Sequence, residues 1–192
     1  FDTLSHCMET YMGKPQATNL SDEINEAVMR NVITNLRRLI RNPDDDFARG
    51  ELMWASAMAE NGMLKLGKQT DFQCHMIEHA VGAYTDCNHG QGLAVIHPAL
   101  YRRLLEAGKE KLARMAETVW GVKGTTIEET AMRGIEALEA FIREIGLPTH
   151  WSEMGITDES MLRAAADTCF ITPGCCRQLT RDEIFELLME RM

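Results

Sequence analysis

The residues best suited to hold a metal ion fall in two stretches far apart in the chain. Asp2 and His6 stand four apart in "DTLSHCMETY". His75 and His79 stand four apart in "HMIEHAVGAYTDCNH", which His89 closes just before Gly90. On a helix, i and i+4 side chains project from one face, so each pair can approach a single ion. Two imidazoles so spaced are a common half-site for zinc or iron. Each piece is weak alone, since a surface ion pair explains most D-x-x-x-H strings and hydrogen-bonded partly buried histidines explain many H-x-x-x-H ones.

His75, Glu78 and His79 also spell H-x-x-E-H, the inverted zinc-protease motif, with Glu78 as general base. That reading needs a further carboxylate ligand; Glu136, Glu139 and Glu144 are available and nothing singles one out. It leaves Asp2, His6 and His89 without a role, and no strand is evident to align a peptide.

These side chains must be positioned by helices, because nearly every segment reads with helical period. One helix is expected from Asp2 to about Met12. A second follows Ser21, with Ile24, Val28, Val32, Leu36 and Ile40 as its apolar stripe, and ends at Asn42-Pro43. A third is expected from Asp46 to Leu66. Thr70 is the expected cap of the helix carrying His75 and His79. A break from Tyr84 to Gly90 leaves His89 on a loop, able to fold back. Further helices span "GLAVIHPALYRRLLEAG" and, after Gly108, "KEKLARMAETVWG". Thr125 with Glu128 and Thr180 with Glu183 read as capping boxes opening two later helices. The expectation is an all-α fold, a single domain over residues 1–192 with eight or nine helices.

Composition narrows the function classes. A net charge of −9 opposes binding to nucleic acid or to an anionic membrane surface. No apolar run is long enough to span a bilayer. Six cysteines without a C-x-x-C fit free thiols in a reducing cytoplasm better than a thiolate zinc site. The start at Phe1, without methionine, points to a segment of a longer protein. His97 reads as packing, His150 and Trp151 as a loop and surface contact, and Cys7 and Cys74 as core. Trp54, Met58 and Phe72 could line a substrate pocket but are more often core residues. "HGQGLA" lacks the strand-before context of a dinucleotide fingerprint.

Taken together, "DTLSHCMETY" and "HMIEHAVGAYTDCNHGQGLAVIHPAL" resemble the motifs of iron-containing (group III) alcohol dehydrogenases, especially the butanol-dehydrogenase-like subgroup. The likeness continues through "ELMWASAMAENG", "AETVWGV" and "FIREIGLPTHWSEMGI" and covers essentially the whole chain. It implies the dehydroquinate-synthase-like C-terminal helical domain, with Asp2, His6, His75 and His89 as metal ligands. His79 becomes an active-site neighbour beside the metal and nicotinamide, and Glu78 an ordinary helix residue. The implied cofactors are a divalent metal, Fe2+ or Zn2+, and NAD(P)H bound mainly by an N-terminal Rossmann-like domain that this chain lacks. The implied reaction is metal-assisted hydride transfer between a small primary alcohol or aldehyde and nicotinamide, with this segment inactive by itself. A homo-oligomer stays open, as do two other classes: the zinc peptidase and a non-catalytic helical interaction domain.

Overall fold

Side-chain caps and apolar stripes divide the chain, all of whose residues Phe1–Met192 are described by a computed structural model, into eight α-helices. They are α1 (Asp2–Tyr11), α2 (Leu20–Arg41), α3 (Asp46–Glu60), α4 (Gln73–Thr85), α5 (His89–Met115), α6 (Ile127–Glu144), α7 (Glu159–Thr168) and α8 (Arg181–Met189). There is no strand ladder; a lone bridge joins Lys14 to Gln69. No helix is long and apolar enough to cross a membrane. The all-α expectation holds.

The longest helix, α5, is the hub. Leu93 to Tyr101, and Leu104, are buried, as in a helix largely enclosed by others. α6 packs along it closely enough that a Cβ on Gly134 would sit 2.7 Å from Ala116 Cβ. α4 and α1 lie on its other side, and α2 covers α1. Charge ties reinforce that layer: buried Asp22 of α2 bonds Lys111 of α5 and Lys68, the latter at 2.7 Å. The Lys111 ammonium lies 4.3 Å from the Tyr11 ring centroid. Burial pulls it down to about 8 despite Asp22.

Several local expectations shift, each for a physical reason. In α2 the buried face runs through Asn25, Met29, Val32 and Ile33, while Ile40 is exposed. Asn25 is drawn in because its amide donates to Cys7 O at 2.8 Å. α3 stops at Glu60, where Gly62 turns left-handed (φ 88°) into a short 3-10 turn, Met63–Lys65. α5 runs through Gly108, which merely kinks it (φ −126°), and then widens into a π turn over Ala116–Trp120. α6 is capped one residue later than expected, by Thr126 accepting from the Glu129 N–H; Thr180 and Glu183 do form a capping box. Trp151, expected at the surface, is fully buried, and its backbone N–H donates to Arg191 O at 2.6 Å.

Thr70 does not cap α4. Phe72 takes the cap position with left-handed backbone (φ 53°), a costly conformation for a residue with a side chain. Asp71 Oδ1 accepts the Gln73 N–H at 3.0 Å instead. Asp71 is buried, and burial followed by the nearby Glu9 charge raises its carboxyl to about 7. An acid with a raised folded pKa binds more protons folded than unfolded, so its ionisation costs stability as pH rises from about 4 to 7. Asp71→Asn keeps the Oδ1 acceptor and removes that cost. Thermal unfolding across pH should show the variant several degrees more stable than wild type above pH 7, with the gain fading toward pH 4. A constant difference at every pH would contradict this.

Candidate metal centre

Three helices converge on one point. α1 brings Asp2 and His6, α4 brings His75 and α5 brings His89. Asp2 Oδ1 lies 3.4 Å from His6 Nε2, 3.4 Å from His75 Nε2 and 3.6 Å from His89 Nε2. The Nε2 atoms of His6 and His75 are 3.1 Å apart. The three histidines and Asp2, distant in sequence, are thus brought together as a cluster of ligand atoms.

The remaining ring nitrogens face carboxylates. His75 Nδ1 donates to Glu9 Oε2 and His89 Nδ1 to Glu78 Oε2. His6 Nδ1 lies 2.6 Å from Glu60 Oε1, a close contact poorly aligned for a hydrogen bond. With protons drawn to Nδ1, the Nε2 lone pairs all point at an oxygen that is itself an acceptor. Asp2 Oδ1 is shielded from solvent and has no hydrogen-bond partner, although its side chain is half exposed. Buried acceptors without a donor are costly, and a cation between them removes the cost. Protons can answer this only in part. Burial opposes a charge on His75, but the Asp2 and Glu9 carboxylates beside it outweigh that and raise the ring to about 9. Burial and then the His75 charge push His6 down to about 4. The nearby His75 ring holds Asp2 below the usual carboxylate range. One carboxylate and three imidazoles make a borderline-hard donor set suited to Fe2+ or Zn2+.

His89 is not a loop residue. The break is confined to Asp86–Asn88, and Asn88 caps α5 by accepting the Gln91 N–H, so His89 is the first helical residue. Its ring is thereby held on a rigid element. His79, one turn beyond His75, is exposed; its ring stacks on His89 (centroids 5.2 Å apart, planes at 29°) and stands edge-on to His75 at 6.0 Å. Burial and then the His89 charge lower its pKa, which favours a neutral imidazole.

Sequence reasoning missed Glu9 and misread Glu78. Glu78 is 2% exposed and engaged with His89, so it is neither an ordinary helix residue nor a base free to activate water. The peptidase alternative is unsupported on that ground, and Glu139 and Glu144 are held by Arg102, Arg191 and Arg37. Of the candidate pocket residues, Phe72 packs on His6 and His75 (centroids 5.1 and 4.9 Å). Trp54 is exposed and lines, with Met58, an apolar groove of about 340 Å³ between α2 and α3. Cys7 and Cys74 are core as expected, and all six cysteines are unpaired.

His97 is packing, and it anchors α1. Its Nε2 meets Ser5 Oγ at 2.6 Å with both residues fully buried, and its Nδ1 has no partner. Burial holds the ring neutral. Ser5→Ala strands the imidazole and should cost on the order of 1–3 kcal/mol. Urea unfolding should show a lower midpoint with unchanged slope; an unchanged midpoint would mean that the hydroxyl is dispensable.

The family model described as "Fe-containing alcohol dehydrogenase family, C-terminal" matches residues 1–192. NADH-dependent butanol dehydrogenase A of Clostridium acetobutylicum is 32% identical over 191 residues, covering 97% of this chain and 49% of its own. NADPH-dependent aldehyde reductase YqhD of Escherichia coli is 29% identical over 160 residues, 83% of this chain and 41% of its own. Among solved structures, NADH-dependent butanol dehydrogenase A of Thermotoga maritima superposes with a TM-score of 0.91 at 29% identity, over 99% of this chain and 50% of that one. The chain spans about half the length of the curated relatives it matches.

Proposed function

Because the chain belongs to the Fe-containing alcohol dehydrogenase family, of which it carries the C-terminal part, we propose that residues 1–192 form the metal-binding, catalytic half of an NAD(P)-linked alcohol dehydrogenase. The observation that carries this is the convergence of three imidazole nitrogens on Asp2 Oδ1, a buried acceptor with no donor of its own. Asp2, His6, His75 and His89 would hold a divalent ion, Fe2+ or Zn2+. When bound, such an ion supplies Lewis-acid polarisation of an alcohol or aldehyde oxygen.

The chain's own residues do the rest. Asp2 would contribute the single anionic donor, and each imidazole would offer its Nε2 lone pair once any proton there is displaced. Phe72 walls one side of His6 and His75. His79, exposed beside His89, is placed to take or return the alcohol proton at its free ring nitrogen. Nicotinamide would come from a nucleotide-binding domain outside this chain, which has no parallel strands on which to seat a dinucleotide. The relatives' activities as butanol dehydrogenase and aldehyde reductase favour short primary alcohols and aldehydes as substrates, and their NADH and NADPH dependence favours a nicotinamide cofactor. Free thiols favour a reducing, cytoplasmic setting. A non-catalytic interaction domain would have no need for the clustered acceptors.

The test is metal analysis of the intact protein together with NADH- and NADPH-dependent reduction of a panel of short aldehydes. Asp2→Ala and His89→Ala should each weaken metal affinity beyond the roughly 10- to 100-fold expected for an outer-shell change. His79→Ala should retain metal and lose roughly 100-fold in turnover. If His79→Ala abolished metal binding while His89→Ala did not, the ligand assignment would be wrong.

A further inference from the structure

The two buried glutamates at the centre have no lysine or arginine partner. Glu9, 1% exposed, pairs only with His75, and Glu78, 2% exposed, only with His89. Each belongs to a helix other than its histidine's: Glu9 is on α1 and reaches α4, and Glu78 is on α4 and reaches α5. Glu9 makes two further bonds, accepting the backbone N–H groups of Cys74 at 2.5 Å and His75 at 3.1 Å. It therefore holds both the ring of His75 and the first turn of the helix that carries it. Glu78 is held by packing: a Cβ on Gly92 would lie 2.8 Å from its Cγ and 2.8 Å from its Oε1. Only glycine at that position leaves room for the carboxylate to stand beside His89.

We propose that Glu9 and Glu78 are positioning residues for the metal centre, each fixing the Nδ1–H tautomer of one histidine so that its Nε2 lone pair points at the ion. This rests on the metal reading above and adds to it the residues that set the affinity. A carboxylate behind an imidazole fixes the ring's orientation and raises its basicity as a ligand. The two negative charges also offset the ion without touching it, and no Lys or Arg competes for them. Glu60 provides the internal contrast. Its side chain is 49% exposed and its contact with His6 Nδ1 is misaligned, so it should matter little.

The test measures Zn2+ affinity of the intact protein by competition with a chromophoric chelator, with unfolding temperatures of metal-free and loaded forms. Glu9→Gln and Glu78→Gln should each weaken Zn2+ binding roughly 10- to 100-fold. Gly92→Ala, which changes no titratable group, should do the same by displacing Glu78. Glu60→Gln should change affinity by less than about fivefold. A Co2+-loaded Glu78→Gln protein should show shifted visible bands, reporting altered ligand geometry. If Glu9→Gln fails to fold, Glu78→Gln and Gly92→Ala carry the test. Wild-type binding with variant affinities within about threefold of it, and lower metal-free unfolding temperatures, would show purely structural roles and overturn this inference alone. Wild-type protein that takes up no Zn2+ would overturn the metal reading and this inference with it.

Discussion

Lone pairs that face one another across a few ångströms repel unless a cation lies among them, and the packing of α1, α4 and α5 enforces that meeting. The arrangement is distinctive when set beside the other buried acids. Asp22 is matched by Lys68 and Lys111, and Glu26 by Arg114 and the Tyr11 hydroxyl. Asp71 is pushed by burial toward the protonated form. Glu9 and Glu78 have imidazoles as their only ionisable nitrogen partners. Among these buried acids, those around Asp2 are left without a lysine or arginine. The bundle holds together around a place where its own side chains do not complete the electrostatics.

That constraint explains why the helices cross as they do. The donors come from α1, α4 and α5, so none can shift along its axis without pulling a ring off the common point. α1 is fixed to α5 by Ser5 and His97, and to α4 by Glu9. α4 begins with a left-handed residue that does not cap it; Asp71 accepts the first N–H, and Glu9 from another helix accepts the next two. Helix termini normally satisfy themselves locally. Here the first turn of the helix that carries His75 depends in part on the helix that carries Asp2 and His6.

Which histidines cluster with Asp2 was only half legible in the sequence. The i, i+4 spacing of Asp2 with His6 is enough to place both on one face, and the structure brings them together with His75 and His89. The same spacing made His75 and His79 look equivalent. They differ because four residues advance a helix by slightly more than a turn; His75 falls inside and His79 at the exposed rim. Residues whose role depends on crossing between helices left no local signal. Glu9 is one acid among 29 and becomes informative only once α1 is known to abut the start of α4. Glu78 was hidden by its own motif, which suggested a base facing substrate. The glycine at 92 was a usable clue in retrospect, since a glycine inside a helix marks a close approach. Boundary errors have the same origin: Thr70 lost to Asp71 and Glu9, and the loop assigned to His89 gave way to an Asn88 cap.

The site's two sides then divide the work. On the inner side, buried carboxylates brace the rings of His75 and His89. On the outer side His79 is exposed, stacked on His89, with a lowered pKa that leaves its imidazole free to exchange protons. In the proposed reading, hydride transfer would need a nicotinamide ring on that open side, and an all-helical chain has no parallel-strand crevice to deliver one. A rigid inner wall with an open outer one suits one partner of a shared active site. The helical half would then fix the ion and the proton path, and the nucleotide would arrive on a separate scaffold facing His79.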